Sequence, residues 1–335
     1  MHVGNLGLEA ANIMEHRTLP GTDLAVSPIC YGADAIGAGV PGEAADRLIN
    51  LYRDAGGNFL DTAHCYAFWT PWGAGSSERG LAEYVRRNGK GDLVIATKGG
   101  HPGCPGYRKV EHWLAPGRIE ADIDDSLGRL EVDTIDLYWL HRDETSLPVA
   151  EIIEPLNREI GRGRIRWLGA SNWRPARIAE ANGYAAAHRL QGFVASQPQW
   201  NLAIKNTPNP DAKTDTSNGN VMLFLEEQDQ AWHRRSHLPV VPYTATAAGY
   251  FASGGQRAKE PFDNPASQAR LAKAQALARE LNATPGQIAL AWLMGQDFPV
   301  FPIIGARDPD HLREDLAATN VHLTREQVAL LAVQE

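Results

Sequence analysis

The sequence predicts an α/β protein built as a parallel (β/α)8 TIM barrel, and three observations carry that expectation. Eight short apolar, β-branched or aromatic runs recur along the chain. Segments of helical periodicity separate them, and turn-rich insertions follow several of the predicted strand ends.

The runs lie at 28–31, 59–61, 93–97, 135–141, 165–170, 193–197, 240–243 and 300–304, each of a length that suits a buried strand. Helix-like stretches at 43–55, 77–87, 118–130, 149–160, 175–189, 223–235 and 285–294 alternate with them. Several open on a capping residue or an early proline and close near glycine. Two more, 309–318 and 324–333, follow the eighth run and are expected as extra C-terminal helices covering one side of the barrel. Stretches at 102–116 and 204–219, rich in Pro, Gly, Asn and Lys, fall where a barrel builds its active-site rim, and 250–265 has the same character. Residues 1–15 have neither the basic cluster nor the apolar run of a signal peptide and read as an N-terminal extension. Without a linker, low-complexity tract or short repeat, 16–335 reads as a single domain.

Charge and cysteine usage exclude whole classes of function. The formal charge of −8 comes from 40 acidic and 32 basic residues spread along 335 positions, which argues against a nucleic-acid or anionic-lipid surface. Cys30, Cys65 and Cys104 have no disulfide rhythm and suit a reducing cytoplasm, the expected location. The charge-free stretch 236–256 contains Pro239, Pro242 and three glycines, so no membrane helix is expected.

Gly37-Ala-Gly39-Val-Pro41-Gly42 matches the spacing G-x-G-x-x-G, and Asp61 follows about twenty positions later, as a dinucleotide fingerprint asks. In that motif the first glycine ends the strand directly, whereas here several residues intervene and Pro41 sits inside the pattern. These glycines read as a rim loop.

Chemistry gathers at consecutive strand ends. The second run ends in Asp61-Thr-Ala-His-Cys-Tyr66, Lys98 follows the third, and the fourth ends in His141, so a carboxylate, a phenol, an ammonium and an imidazole are expected around one barrel mouth. Singly they read as a helix cap, a rim aromatic, a surface charge and a core histidine. A lysine ending an apolar strand is harder to place in that way, because its burial is costly unless a carboxylate such as Asp61 pairs with it. His64, Cys65, His101 and Cys104 include soft metal ligands, but adjacent His64 and Cys65 point apart and the 101–104 pair has no clear partner, so no metal is expected. Rim residues Phe68, Trp69, Trp72, Trp113, Arg142 and Asp143 point to a polar, hydroxylated carbonyl such as a sugar aldehyde or keto sugar: indole faces pack on sugar C–H groups, and Arg and Asp hydrogen-bond hydroxyls. The plainer reading is that the tryptophans cover the barrel edge.

At Asp61, Tyr66, Lys98 and His141 the sequence resembles the aldo-keto reductase family, whose tetrad these positions match, including the short Asp-to-Tyr spacing. The similarity extends through 17–27, which looks like the family's N-terminal hairpin, and through 125–130, 133–138, 163–166 and 168–172, covering roughly 16–320. The resemblance implies NADP(H), with NAD as the alternative, and hydride transfer to or from a small-molecule carbonyl. It makes Tyr66 the general acid, Lys98 and Asp61 the groups that adjust its pKa, and His141 the hydrogen bond that orients the carbonyl. It further implies that Ser171, Asn172 and Gln197 contact the nicotinamide carboxamide and that Tyr243 stacks on the ring. Thr244 to Gly249 would form a pyrophosphate loop that departs from the family's usual serine and proline. Gly305, Arg307, His311 and Asp315 fall in the adenosine segment, with Arg307 matched to the 2′-phosphate. A branch of the family resembles β subunits of potassium channels, so a cofactor-binding regulatory subunit is the alternative function. The oligomeric state is not readable, since exposed and interface helices share one pattern.

Overall fold

The structure, a computed structural model, describes residues 13–104, 107–109, 111–211 and 219–333. Most of the expected N-terminal extension and parts of the expected insertions at 102–116 and 204–219 lie outside the described residues. A hairpin of β1 (Arg17–Thr18) and β2 (Ala25–Val26) precedes the alternation. There follow β3 (Cys30–Gly32), α1 (Gly42–Asp54), β4 (Phe59–Asp61), α2 (Ser76–Asn88) and β5 (Val94–Gly99). A small hairpin of β6 (Gly103–Cys104) and β7 (Arg108–Lys109) leads to α3 (Pro116–Leu130), β8 (Ile135–Leu140), α4 (Val149–Gly161), β9 (Ile165–Ser171), α5 (Pro175–Ala187) and β10 (Phe193–Gln197). Helices α6 (Glu227–Ser236), α7 (Lys259–Phe262), α8 (Pro265–Glu280) and α9 (Pro285–Met294), strand β11 (Ile303–Ile304), and helices α10 (Pro309–Leu316) and α11 (Arg325–Ala332) complete the order.

The parallel strands run β10-β9-β8-β5-β4-β3-β11, and Val240 closes the ring through parallel bridges to Ser196 and Val300. The expected seventh run, 240–243, is thus a bridging segment and not a full strand. Proline explains the difference, since Pro239 and Pro242 have no N–H to give the ladder and contribute only carbonyls. Those carbonyls accept from Ser196 N and Ile303 N, each at 2.9 Å. The same chemistry at Pro299 and Pro302 shortens the expected eighth run to β11. Helix α6 starts at Glu227, later than the expected 223, because Phe224 bridges to Gln199 and a Glu226/Asp229 capping box sets the first turn. Helix α8 falls outside the expected elements because its buried face mixes Ala274 and Ala278 with Leu271 and Leu277, a weak apolar stripe.

Alternation along each strand sorts the core into two layers. Ile95, Tyr138, Leu140 and Leu168 point outward and pack beneath the helices. Phe59, Val94, Ala96, Leu137, Trp139, Ala195, Val241, Phe301 and Ile303 fill the barrel, joined by Leu19, Leu24 and Val26 of the hairpin, which plugs one end. The plug is latched by Asp23, which accepts from Arg166 Nη2 at 2.8 Å and Trp167 Nε1 at 2.9 Å.

Gly169 is the inward residue of β9 against which the Trp139 indole lies, and a Cβ there would overlap that ring. Gly169→Ala is expected to cost about 1–3 kcal/mol by overpacking. A lowered urea midpoint at unchanged m-value checks this.

Candidate active site

The inward parity that builds the barrel core also builds its mouth. Continuing Phe59, Ala96, Trp139, Ala195 and Val241 by two residues gives Asp61, Lys98, His141, Gln197 and Tyr243, and Gly169 continues to Ser171. The top inward positions therefore lie at or just beyond the C-terminal strand ends. Tyr66 and Asn172 come from the loops that follow β4 and β9.

Lys98 is 1% exposed, and its Nζ donates to Asp61 Oδ2 and, at 2.8 Å, to Thr62 O. The second carboxylate oxygen of Asp61 accepts from Gln197 Nε2 at 3.0 Å. Burial disfavours the Lys98 charge, but Asp61 and then Tyr66 outweigh it and hold the ammonium above the ordinary lysine value. The ammonium lies 4.7 Å from the centroid of the Tyr66 ring. Burial pushes the Tyr66 phenol up to about 12, with Lys98 pulling down and Asp61 adding to the rise. Lys98 thus acts on Tyr66 in the expected direction, yet the phenol stays above its ordinary value of about 10. Burial, then Arg142, His101 and Lys98, keeps the His141 imidazole well below its usual range, so it is neutral at neutral pH. Its Nδ1 faces Cys65 Sγ at 3.5 Å, and its ring centroid is 5.9 Å from that of Tyr66.

The residues expected at the nicotinamide are brought together. Ser171 Oγ donates to Gln197 O at 2.9 Å. Asn172 Nδ2 donates to His141 O at 3.3 Å, and Asn172 Oδ1 accepts the Tyr243 hydroxyl at 2.7 Å. Amide and hydroxyl groups beside the Tyr243 ring suit a carboxamide on an aromatic ring, so the residues present fit such a group. Ala67, Asn172 and Thr244, each directly following a site residue, have positive φ of 72°, 58° and 55°, a strained backbone seldom kept without a positional reason. Gly249 turns the next loop with φ +82°, and at Gly305 a Cβ would meet nothing, leaving the backbone open to a ligand.

At the adenosine end the expected cations are engaged by acids. Arg307 Nη2 meets Asp34 at 3.0 Å, and His311 pairs with Asp308, whose carboxylate also caps α10 by accepting from Asp310 N and His311 N. Burial and the Glu314 carboxylate, opposed by His311, push Asp315 up to about 7.

The expected substrate residues separate. Trp69 and Trp72 are 56% and 53% exposed at the rim. Trp113 is buried in the core, its indole against Gly219. Asp143 turns to Arg177 Nε at 3.5 Å, and burial, eased by Arg177, pushes it up to about 6. Arg142 is buried and donates from Nη1 to His141 O at 2.7 Å.

A closed circuit of rings that sequence reasoning did not assemble borders the tetrad. From Tyr66 it passes to Trp69, Phe68, Tyr107, His101 and His141, with successive centroids 6.1, 4.9, 5.5, 5.9 and 5.0 Å apart, and returns to Tyr66. Tyr107 is held at its hydroxyl by His64 Nδ1 at 2.6 Å, and His64 Nε2 meets Asp125 at 2.9 Å. His64 and Cys65 are therefore turned to different partners, and among the described residues no group of three His, Cys, Asp or Glu side chains is placed to hold a metal. The signal for Tyr107 was its position in the expected insertion 102–116, while His101, just before that insertion, stood out only as a metal-type side chain.

With this geometry in place, residues 28–333 match the model of the Aldo/keto reductase family. Among curated relatives, a norsolorinic acid reductase B of Aspergillus parasiticus is 28% identical over 334 residues, spanning 92% of this chain and 81% of the relative. An aryl-alcohol dehydrogenase of Pestalotiopsis microspora is 26% identical, covering 93% of this chain and 80% of the relative. An NADP(+) aryl-alcohol dehydrogenase of Phanerodontia chrysosporium is likewise 26% identical, covering 94% and 84%.

Removing one partner of the buried pair leaves the other charge uncompensated, so Lys98→Met is expected to cost about 3–5 kcal/mol. Chemical denaturation of the variant beside the wild type checks it. Because the folded state depresses the His141 pKa, unfolding takes up a proton below about pH 6.5, so its contribution is whole above that pH and is lost as pH falls. The slope is at most about 1.4 kcal/mol per pH unit. Urea midpoints between pH 7 and pH 5 should fall less steeply in His141→Gln than in wild type.

Proposed function

The chain belongs to the aldo/keto reductase family, and from that premise we propose that it interconverts an aromatic carbonyl and its alcohol with NADP(H), Tyr66 carrying the proton. The closed ring circuit with Tyr66 and His141 as members is the observation that supports the aromatic class, since flat rings line the approach to the proton donor. The aryl-alcohol dehydrogenases and norsolorinic acid reductase among its relatives agree with that class. A sugar substrate fits less well: of the six rim residues that point to it, Trp113 is buried, Asp143 is turned to Arg177 and Phe68 belongs to the ring circuit, while Trp69 and Trp72 stay at the rim.

Bound nicotinamide supplies the hydride. Tyr66, protonated across the neutral range, gives its proton to the carbonyl oxygen, and Lys98 steadies the phenolate that results. Asp61 holds Lys98 charged and in place. Neutral His141 donates a second hydrogen bond to the same oxygen if Nδ1 accepts from the Cys65 thiol and the hydrogen sits on Nε2. Ser171, Asn172 and Gln197, grouped beside the Tyr243 ring, would hold the carboxamide, and Tyr243 would lie against the nicotinamide. Arg307 would exchange Asp34 for the 2′-phosphate.

The test follows NADPH absorbance with benzaldehyde, glyceraldehyde and xylose for wild type and Tyr66→Phe. Turnover of benzaldehyde with kcat reduced about 10²-fold or more in Tyr66→Phe is expected, with NADPH binding retained. Undiminished turnover in the variant sinks the role of Tyr66, and a preference for the sugars moves the assignment to Trp69 and Trp72. Tight NADPH binding without turnover of any carbonyl favours the regulatory-subunit reading. In the oxidative direction Tyr66 must start as phenolate, so benzyl alcohol oxidation should climb from pH 7 to pH 10 while aldehyde reduction stays nearly flat.

A further inference from the structure

Arg142 follows His141 directly and is 7% exposed. Its Nη1 donates to His141 O at 2.7 Å, a carbonyl that also accepts from Asn172 Nδ2 at 3.3 Å. Asn172 in turn holds the Tyr243 hydroxyl at 2.7 Å, so the guanidinium is anchored among residues that border the carbonyl seat. The Nε of Arg142 is buried without a hydrogen-bond partner, and no carboxylate among the described residues pairs with the side chain.

The nearby acids are committed elsewhere. Asp143 pairs with Arg177 at 3.5 Å, Glu144 accepts from Leu114 N at 2.8 Å and meets His112 at 2.8 Å, and Asp61 is taken by Lys98 and Gln197. Lys98 and Asp61 cancel and His141 is neutral, which leaves Arg142 as the uncompensated charge of the mouth among the described residues. A buried guanidinium served by one peptide carbonyl carries a desolvation cost that the fold does not offset. The dinucleotide's phosphates are assigned to other loops, at 244–249 and 305–315. A compact anion on the other reactant would meet both the charge and the unpartnered Nε.

We propose that Arg142 is the anion-reading residue of the substrate seat, and that the carbonyl substrate carries a carboxylate or phosphate which docks on its guanidinium. The inference rests on the reading of this mouth as a carbonyl-reducing site. It narrows the aromatic class to oxo acids or oxo phosphates.

A binding experiment separates it from turnover. Protein loaded with NADP+ is titrated calorimetrically with benzoate, benzamide and phenyl phosphate, for wild type, Arg142→Gln and Arg142→Lys. Benzoate should bind at least about ten-fold more tightly than benzamide, a ratio that falls to about one in Arg142→Gln and is partly kept in Arg142→Lys. Phenyl phosphate binding above benzoate identifies phosphate as the preferred anion, and the reverse order identifies carboxylate. In parallel, kcat/KM for 4-carboxybenzaldehyde over 4-formylbenzamide should exceed about ten in wild type and approach one in Arg142→Gln, the difference residing in KM. A wild-type benzoate-to-benzamide ratio near one, or a ratio unchanged in Arg142→Gln, overturns the proposal. Selective benzoate binding with no turnover of either aldehyde overturns the reductase reading and leaves the anion seat standing.

Discussion

Lys98 is buried inside a barrel at 1% exposure, and an ammonium taken that far out of water costs several kcal/mol unless charge and hydrogen bonds meet it there. Asp61 supplies the charge from the neighbouring strand β4, Thr62 O supplies a second acceptor, and Gln197 reaches from β10 to satisfy the other carboxylate oxygen. One buried pair therefore ties three strand ends to a common geometry. Hydrophobic residues of similar volume would fill the space at no loss of stability. The pair makes sense as the means of holding a positive charge 4.7 Å from the Tyr66 ring, where an aliphatic filler could do nothing.

The protonation states follow from that arrangement and from dryness. Burial lifts the phenol, Lys98 limits the rise, and both leave Tyr66 a proton donor rather than a phenolate at neutral pH. Burial acts oppositely on His141 because its charged form is the cation, and the nearby Arg142 and Lys98 push the same way. Two neutral donors whose rings lie 5.9 Å apart at one mouth would suit a carbonyl oxygen that gains charge as hydride arrives. Arg142 is buried beside His141 without a carboxylate partner among the described residues, so on the proposed reading a substrate would be orientated by an anion at one end and a polarised oxygen at the other.

Much of this was legible because a barrel strand has a period of two. Asp61, Lys98, His141 and Gln197 each lie two residues beyond an inward apolar residue, and β4, β10 and α9 fall on the expected spans. The period fails where proline removes donors, which is why 240–243 contributes a bridge and not a strand. It says nothing about loops. Tyr107 meets His64 across 43 residues, and His101 reaches His141 across an insertion, pairings that no local pattern encodes. Trp113 is the same residue type as Trp69, and Asp143 adjoins Arg142 at the same strand end. Only packing against Gly219 and the ion pair with Arg177 separates them from the mouth.

The adenosine end carries a constraint of its own. Arg307 is exposed and paired with Asp34, and an exposed pair of this kind is worth about 1 kcal/mol or less, so a dianionic phosphate can displace the carboxylate readily. Asp308 is a different case, because its carboxylate satisfies two amides at the start of α10 as well as meeting His311. A phosphate arriving there would compete with a capping carboxylate already in place, and like charge between the two works against it. Asp315, raised to about 7, can shed that repulsion by taking a proton, whereas Asp308, whose carboxyl the His311 amide, outweighing burial, and then the His311 charge keep low, cannot. On the proposed cofactor reading, discrimination for a 2′-phosphate would rest on Arg307, with the helix start contributing little, and replacing Asp34 rather than His311 is the change that would sharpen it.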